Sequence, residues 1–289
     1  MKLLVGIAAL VAAGGLVAAI VLASDSGGTD WHASCETKPA QTADKHPNAV
    51  AEARKALLSN GNDPRLEIEV VDLDACAVEV SWKADQPQPS ASVVKLLIAL
   101  DLIDRSGVPD DSEASAVQTM LSASDDRVAS RLWQQLGGPA IVQRQAGKLG
   151  LKHTTPPDKP GQWGSTAMSA EDVTAIYRHI AAELPDDERE FITEALESAP
   201  RNAADGFDQH FGIPRAFPGT EWAIKQGWGT SDGRRVLNTT GLVRAGSRTF
   251  AVAVMSTWDD SVGLPAATKA LTDATGALKN SLAGTGSLT

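Results

Sequence analysis

Two blocks of strand-like sequence enclose a long helical middle, and that order constrains the fold more than any other feature. Leu66 to Val71 alternates toward a strand, as does Ala77 to Trp82, and Asp72 to Ala75 connects them as a hairpin. Far along the chain the period of two returns: Trp222 to Lys225 predicts a short strand, and Gln226 to Gly233 a glycine-rich turn. Val236 to Arg244 and Thr249 to Thr257 then predict strands paired around Ala245-Gly246-Ser247. Between the blocks, Ser112–Met120, Asp125–Leu136 and Pro139–Leu149 read as consecutive helices. A proline- and glycine-rich loop follows over 150–166. Ser169 caps a helix with Glu171 and Asp172 in its first turn, and Pro185 to Leu196 predicts another. Ala49 to Leu58 reads as an opening helix stopped by Asn60-Gly61-Asn62-Asp63-Pro64, and Ala266 to Leu282 as a closing one. Strands at both ends, helices between and a closing helix define an α+β class. The terminal strands must meet in one antiparallel sheet with the closing helix on it.

The N-terminus bounds the compartment. Leu3 to Leu22 is apolar apart from three glycines and follows Lys2. Residues 1–24 therefore read as a cleaved signal peptide or a single-pass membrane anchor, with Val21-Leu22-Ala23 as a cleavage site in the first case. Both outcomes place the rest outside the cytoplasm. Residues 25–46 are polar and read as a tether, leaving 47–289 as the folded domain. In an exported chain the only two cysteines, Cys35 and Cys76, read first as a disulfide, with two free thiols as the alternative. They lack Cys-x-x-Cys spacing, and the five histidines are scattered, so no metal or other cofactor is signalled. The net charge of −10 argues against nucleic acid, whose phosphates it would repel. The expected molecule is a monomer.

The chemistry is concentrated in Pro89-Ser90-Ala91-Ser92-Val93-Val94-Lys95, which opens an apolar helical run. Three residues apart, Ser92 and Lys95 share one helix face. Serine is a poor nucleophile unless a neighbouring base takes its proton, and lysine becomes such a base when burial lowers its pKa. The bland alternative is a capping serine and a lysine that snorkels to solvent. Two further motifs favour the first option. Ser124-Asp125-Asp126 stands at the mouth of a helix, and Lys225-Gln226-Gly227 at the end of a strand.

In this order the three motifs resemble those of the penicillin-recognising serine enzymes, class A β-lactamases and D-alanyl-D-alanine peptidases, whose signature is S-x-x-K, S-D-N and K-T-G. The resemblance covers roughly Ala49 to Leu282 and implies a β-lactamase/transpeptidase-like fold. It implies Ser92 as the acylated nucleophile, Lys95 as its base or proton relay, and Ser124 as proton donor to the leaving nitrogen. Lys225 would hold the pocket positive. It also implies an oxyanion hole of the Ser92 and Trp228 backbone N–H groups, and substrate contacts from Asp126, Gln226, Gly227 and Arg234. The partner would be a β-lactam or a peptidoglycan peptide.

Three departures qualify that expectation. Gln226 replaces the hydroxyl residue of K-T-G. Asp126 replaces the asparagine of S-D-N, and its carboxylate raises the pKa of Lys95 and makes it a poorer base. The stretch between Gly150 and Met168 has no glutamate to activate a deacylating water; Asp158 is its sole carboxylate. The helical half is also trimmed. These features predict slow deacylation, and they keep open a different class of function, a non-catalytic cell-envelope binding protein that retains the fold.

Overall fold

A computed structural model describes residues 28–41, 46–58 and 64–282. Residues 1–24, and most of the Asn60–Pro64 helix stop, lie outside that range. The first part holds β1 (Ala40–Gln41), α1 (Pro47–Leu58) and a hairpin of β2 (Arg65–Asp72) and β3 (Ala77–Trp82). After β4 (Gln88–Pro89), a 3-10 turn at Ala91–Val94 runs directly into α2 (Lys95–Ser106). The helical middle continues through α3 (Asp111–Ser122), α4 (Asp126–Gln135) and α5 (Pro139–Leu149). Then come β5 (Ala167–Met168), α6 (Ala170–Ala182) and α7 (Asp186–Glu197). The last part contains α8 (Ile213–Ala216), β6 (Glu221–Ile224), β7 (Gly227–Ser231), β8 (Arg234–Ala245), β9 (Arg248–Asp259) and α9 (Leu264–Gly276). Among the described residues no helix is long and apolar enough to cross a membrane.

The expected α+β sheet is present. Its order is β1-β3-β2-β9-β8, with β6 and β7 both paired to β8; β1 runs parallel to β3 and the other pairs are antiparallel. The N- and C-terminal strands meet where β2 lies against β9, from Arg65 opposite Thr257 to Asp72 opposite Phe250. Both faces are covered, so side chains of either parity are buried. Phe250, Val252 and Val254 join α1 and α9 in one core, whereas Ala251, Ala253 and Met255 face the helical half. Helix α2 crosses that half with Leu96 to Leu100 all buried. A helix apolar all round is an interior one, and this places its first turn at the meeting of sheet and helices.

The structure departs from expectation in three places. The alternation in β2 predicts polar residues facing water, yet Glu67 and Glu69 are only 1% and 3% exposed because α6 and β4 lie over that face. Burial pushes both carboxyls up to about 7. Glu67 accepts from Gln88 Nε2, and Glu69 from Thr174 Oγ1. The tether reading fails for residues 28–41, which run along the domain. Trp31 is buried with its indole donating to Glu197, and Ala33 N donates to Ala181 O at 2.9 Å. The Cys35–Cys76 disulfide, with Cα atoms 4.9 Å apart, fastens this segment beside β3. Finally, the predicted turn at Gln226–Gly233 is mostly strand. β7 occupies Gly227–Ser231 and only Asp232-Gly233 turns back, because β8 offers a full edge to pair with.

Candidate active site

The Ser92 turn is held by the sheet. Asn238 on β8 donates from Nδ2 to both Pro89 O and Ser90 O at 3.1 Å, and its Oδ1 accepts from Ser256 N. Residue 227 is glycine for a steric reason: a Cβ there would sit 2.6 Å from Ser90 O and press on Val93 and Ala91. Strand β7 therefore approaches the nucleophile turn backbone to backbone. Ala91, just before the serine, has φ +45°, and Ser124 has φ +58°. Left-handed conformations cost non-glycine residues free energy and concentrate at functional sites.

Ser92, Lys95, Ser124 and Lys225 converge. Lys95 Nζ lies 2.9 Å from Ser92 Oγ, 2.9 Å from Ser124 Oγ, 2.7 Å from Ser124 O and 2.6 Å from Asp126 Oδ1. An ammonium has three N–H donors and here faces four oxygens; the neutral amine instead has a lone pair free to accept the Ser92 hydroxyl proton. Lys95 is fully buried. That burial lowers its pKa, outweighing the upward pull of Asp126, whose own side chain is 67% exposed. The expectation that Asp126 raises the pKa is thus correct in sign and smaller than the effect of burial. Lys225 Nζ reaches Ser124 Oγ at 3.0 Å from the other side. Burial, then the nearby Lys95 charge, hold its pKa well below the ordinary lysine value. Asp125 caps α4 by accepting from Arg127 N and Val128 N, which fixes the loop presenting Ser124 and Asp126.

A cavity of about 480 Å³ opens in front of Ser92. Trp228 is on its wall. It belongs to β7, which pairs with β8 on one side and faces the nucleophile turn on the other, the setting expected of an oxyanion donor. Two expected substrate contacts are corrected. Gln226 is buried and turned away: Nε2 donates to Gln209 O and Phe211 O, and Oε1 accepts Thr240 N. It bridges the gap between β6 and β7, where the side-chain carbonyl takes over a ladder hydrogen bond. Arg234 is exposed beside Asp259 and does not line the cavity; its guanidinium lies over Thr257 O at 3.5 Å. It closes the β7–β8 hairpin opposite Ser231, so its stem starts at the tip. Gly227 acts through close approach to the Ser90 turn.

Four contributors were missed by sequence reasoning. Asn238 anchors the turn from a distant strand. Trp163 comes from the 150–166 loop, its ring centroid 5.0 Å from Lys95 Nζ and its Nε1 donating to Ser130 Oγ. Asp205 accepts from Trp228 Nε1 at 2.9 Å, and Phe207 stacks on Trp228 with centroids 4.9 Å apart. The one local signal was the tryptophan in the loop. Asp158, the sole carboxylate of 150–166, is exposed and away from the cavity.

Sequence and structure comparisons agree with this geometry. The beta-lactamase enzyme family profile matches residues 112–282, more than half of the chain, and the chain belongs to that family. Curated relatives include proteins of Mycobacterium tuberculosis and Mycobacterium bovis named as lipoprotein LppW. They are 38% identical over 148 residues, which covers 48% of this chain and 46% of theirs. The chain thus aligns with about half the length of these relatives. Among solved structures, a beta-lactamase from Chitinophaga pinensis superposes with TM-score 0.67 at 15% identity, covering 81% of this chain and 98% of that one. PBP-A superposes with TM-score 0.66 at 16% identity, covering 84% and 97%. A class A beta-lactamase from Mycobacterium abscessus gives TM-score 0.66 at 19% identity, covering 79% and 98%.

Proposed function

We propose that this protein is an extracytoplasmic serine hydrolase acylated at Ser92 by a β-lactam or a cell-wall D-alanyl peptide, with slow deacylation. The observation that carries the reading is the buried amine of Lys95, 2.9 Å from Ser92 Oγ, whose charged form is disfavoured. Ser92 Oγ attacks the amide carbonyl as its proton passes to Lys95. The oxyanion develops between the Ser92 and Trp228 N–H groups, where preorganised donors contribute most. Ser124, held between the two lysines, delivers a proton to the leaving nitrogen. Lys225 keeps that proton mobile, and water completes the cycle. Trp163 is on the cavity wall and Asp158 is not, so the 150–166 loop supplies no carboxylate to the deacylating water. The lipoprotein names of the relatives and the apolar Leu3–Leu22 segment support an envelope location.

Asp126, drawn to within 2.6 Å of Lys95, favours the second reading, a binding protein whose chemistry is lost. Intact mass after incubation with a penicillin, beside Ser92→Ala, separates the two. The expected result is a persistent adduct absent from the variant. Rapid penicillin turnover through Ser92 overturns the slow-deacylation claim. Neither adduct nor consumption, with D-alanyl peptides also left intact, overturns the enzyme reading.

A further inference from the structure

The charge lining the cleft specifies more than the reaction. The ionisable side chains on the cavity wall are Asp126 and Asp205, both carboxylates. The lysine nearest them, Lys95, is engaged with Ser92, Ser124 and Asp126, and Lys225 with Ser124; neither lines the cavity. Asp126 is therefore matched by Lys95, while the partners of Asp205 are two neutral N–H donors, Trp228 Nε1 and Phe207 N. Arg127 is turned to Asp125, and Arg235 to Asp260. The remaining walls are the indoles of Trp163 and Trp228 and the hydroxyls of Ser165, Thr230 and Ser231. A carboxylate set among aromatic faces attracts an ammonium or guanidinium group through both Coulombic and cation–π terms. It repels a substrate carboxylate.

We infer that the cleft takes amide or ester acyl donors that bring a cationic group to Asp205, with Trp163 and Trp228 beside it, in preference to anionic donors. This rests on Ser92 being the nucleophile and goes beyond that reading by naming the substrate class. In acylation, Ser92 Oγ bonds to the acyl carbon, the bond to the leaving group breaks, and the serine proton passes to Lys95. One uncompensated charge about 6 Å away at an effective dielectric near 40 changes acylation about tenfold.

The probes are p-nitrophenyl esters of an aminohexanoyl, a hexanoyl and a carboxypentanoyl chain, read as the p-nitrophenolate burst with Ser92→Ala as background. The expected order of acylation efficiency is amino, then neutral, then carboxy, with about tenfold between the first two. Asp205→Asn reduces the amino-to-neutral ratio toward one, Asp205→Glu retains it, and added salt lowers it in the wild type. A merely structural Asp205 would slow all three esters alike and leave the ratio intact, which overturns the inference. A neutral-first order overturns it too. A carboxy-first order that disappears in Arg234→Gln means that this arginine swings into the cleft, and overturns it while leaving Ser92 as nucleophile. Bursts no greater than in Ser92→Ala for every ester overturn the nucleophile reading itself.

Discussion

At the scale of single residues, the site is decided by a competition over Lys95. Burial strips the ammonium of water and lowers its pKa; Asp126 pulls it back up. Replacing Asp126 with asparagine keeps an acceptor for Nζ and removes the charge, so the lysine becomes a base at lower pH. The acidic limb of the pH–acylation profile is expected to move down by several tenths to about one pH unit, the moderate size reflecting an exposed carboxylate. A stopped-flow profile with an acylating β-lactam measures it. An unmoved or upward-moved limb would exclude Lys95 as the base. Ser92, Lys95, Ser124 and Lys225 were legible in the sequence because each sits in a short motif at a helix start or strand end. Asp205 and Trp163 were not, since isolated polar or aromatic residues in loops carry no local sign of where the loop packs.

At the scale of elements, the nucleophile turn depends on the sheet beside it. Gly227 lets β7 come into backbone contact with Ser90, and Asn238 holds two carbonyls of the same turn. Gly227→Ala sets a Cβ 2.6 Å from a backbone oxygen, which cannot rotate away. The expected cost is about 2 kcal/mol of stability by urea titration, in the range of overpacked sites. Acylation is expected to fall at least about tenfold as the turn shifts. Unchanged stability and acylation together would mean that the two segments have room to spare. Strand and helix order were readable from periodicity. The strand identity of β7 was not, because Gly227-Trp228-Gly229 has the composition of a turn and becomes strand only by pairing with β8. Glu67 and Glu69 mislead in the opposite way, since alternation cannot show that a sheet has a second cover.

At the scale of the whole molecule, the N-terminal segment is part of the domain. The Cys35–Cys76 bond closes a loop with a sequence separation of 41. Chain-entropy arguments put its contribution at about 4 kcal/mol. The Cys35→Ser/Cys76→Ser double variant is expected to unfold at distinctly lower urea concentration while retaining Ser92 acylation in native conditions, because the bond lies beside β3 and away from the cleft. Equal midpoints would show that packing of Trp31 and Ala33 alone secures the segment.

The sequence by itself determined the α+β order, the four side chains that share protons and the loss of a loop glutamate, because each depends on spacing within a few residues. The tertiary structure alone decided that Gln226 faces inward, that Arg234 stays at a hairpin tip and that Asp205 and two indoles wall the cleft. Those outcomes follow from strand register and from which loop covers which face. Register and cover are settled by contacts between segments far apart in the chain, where local pattern has no reach.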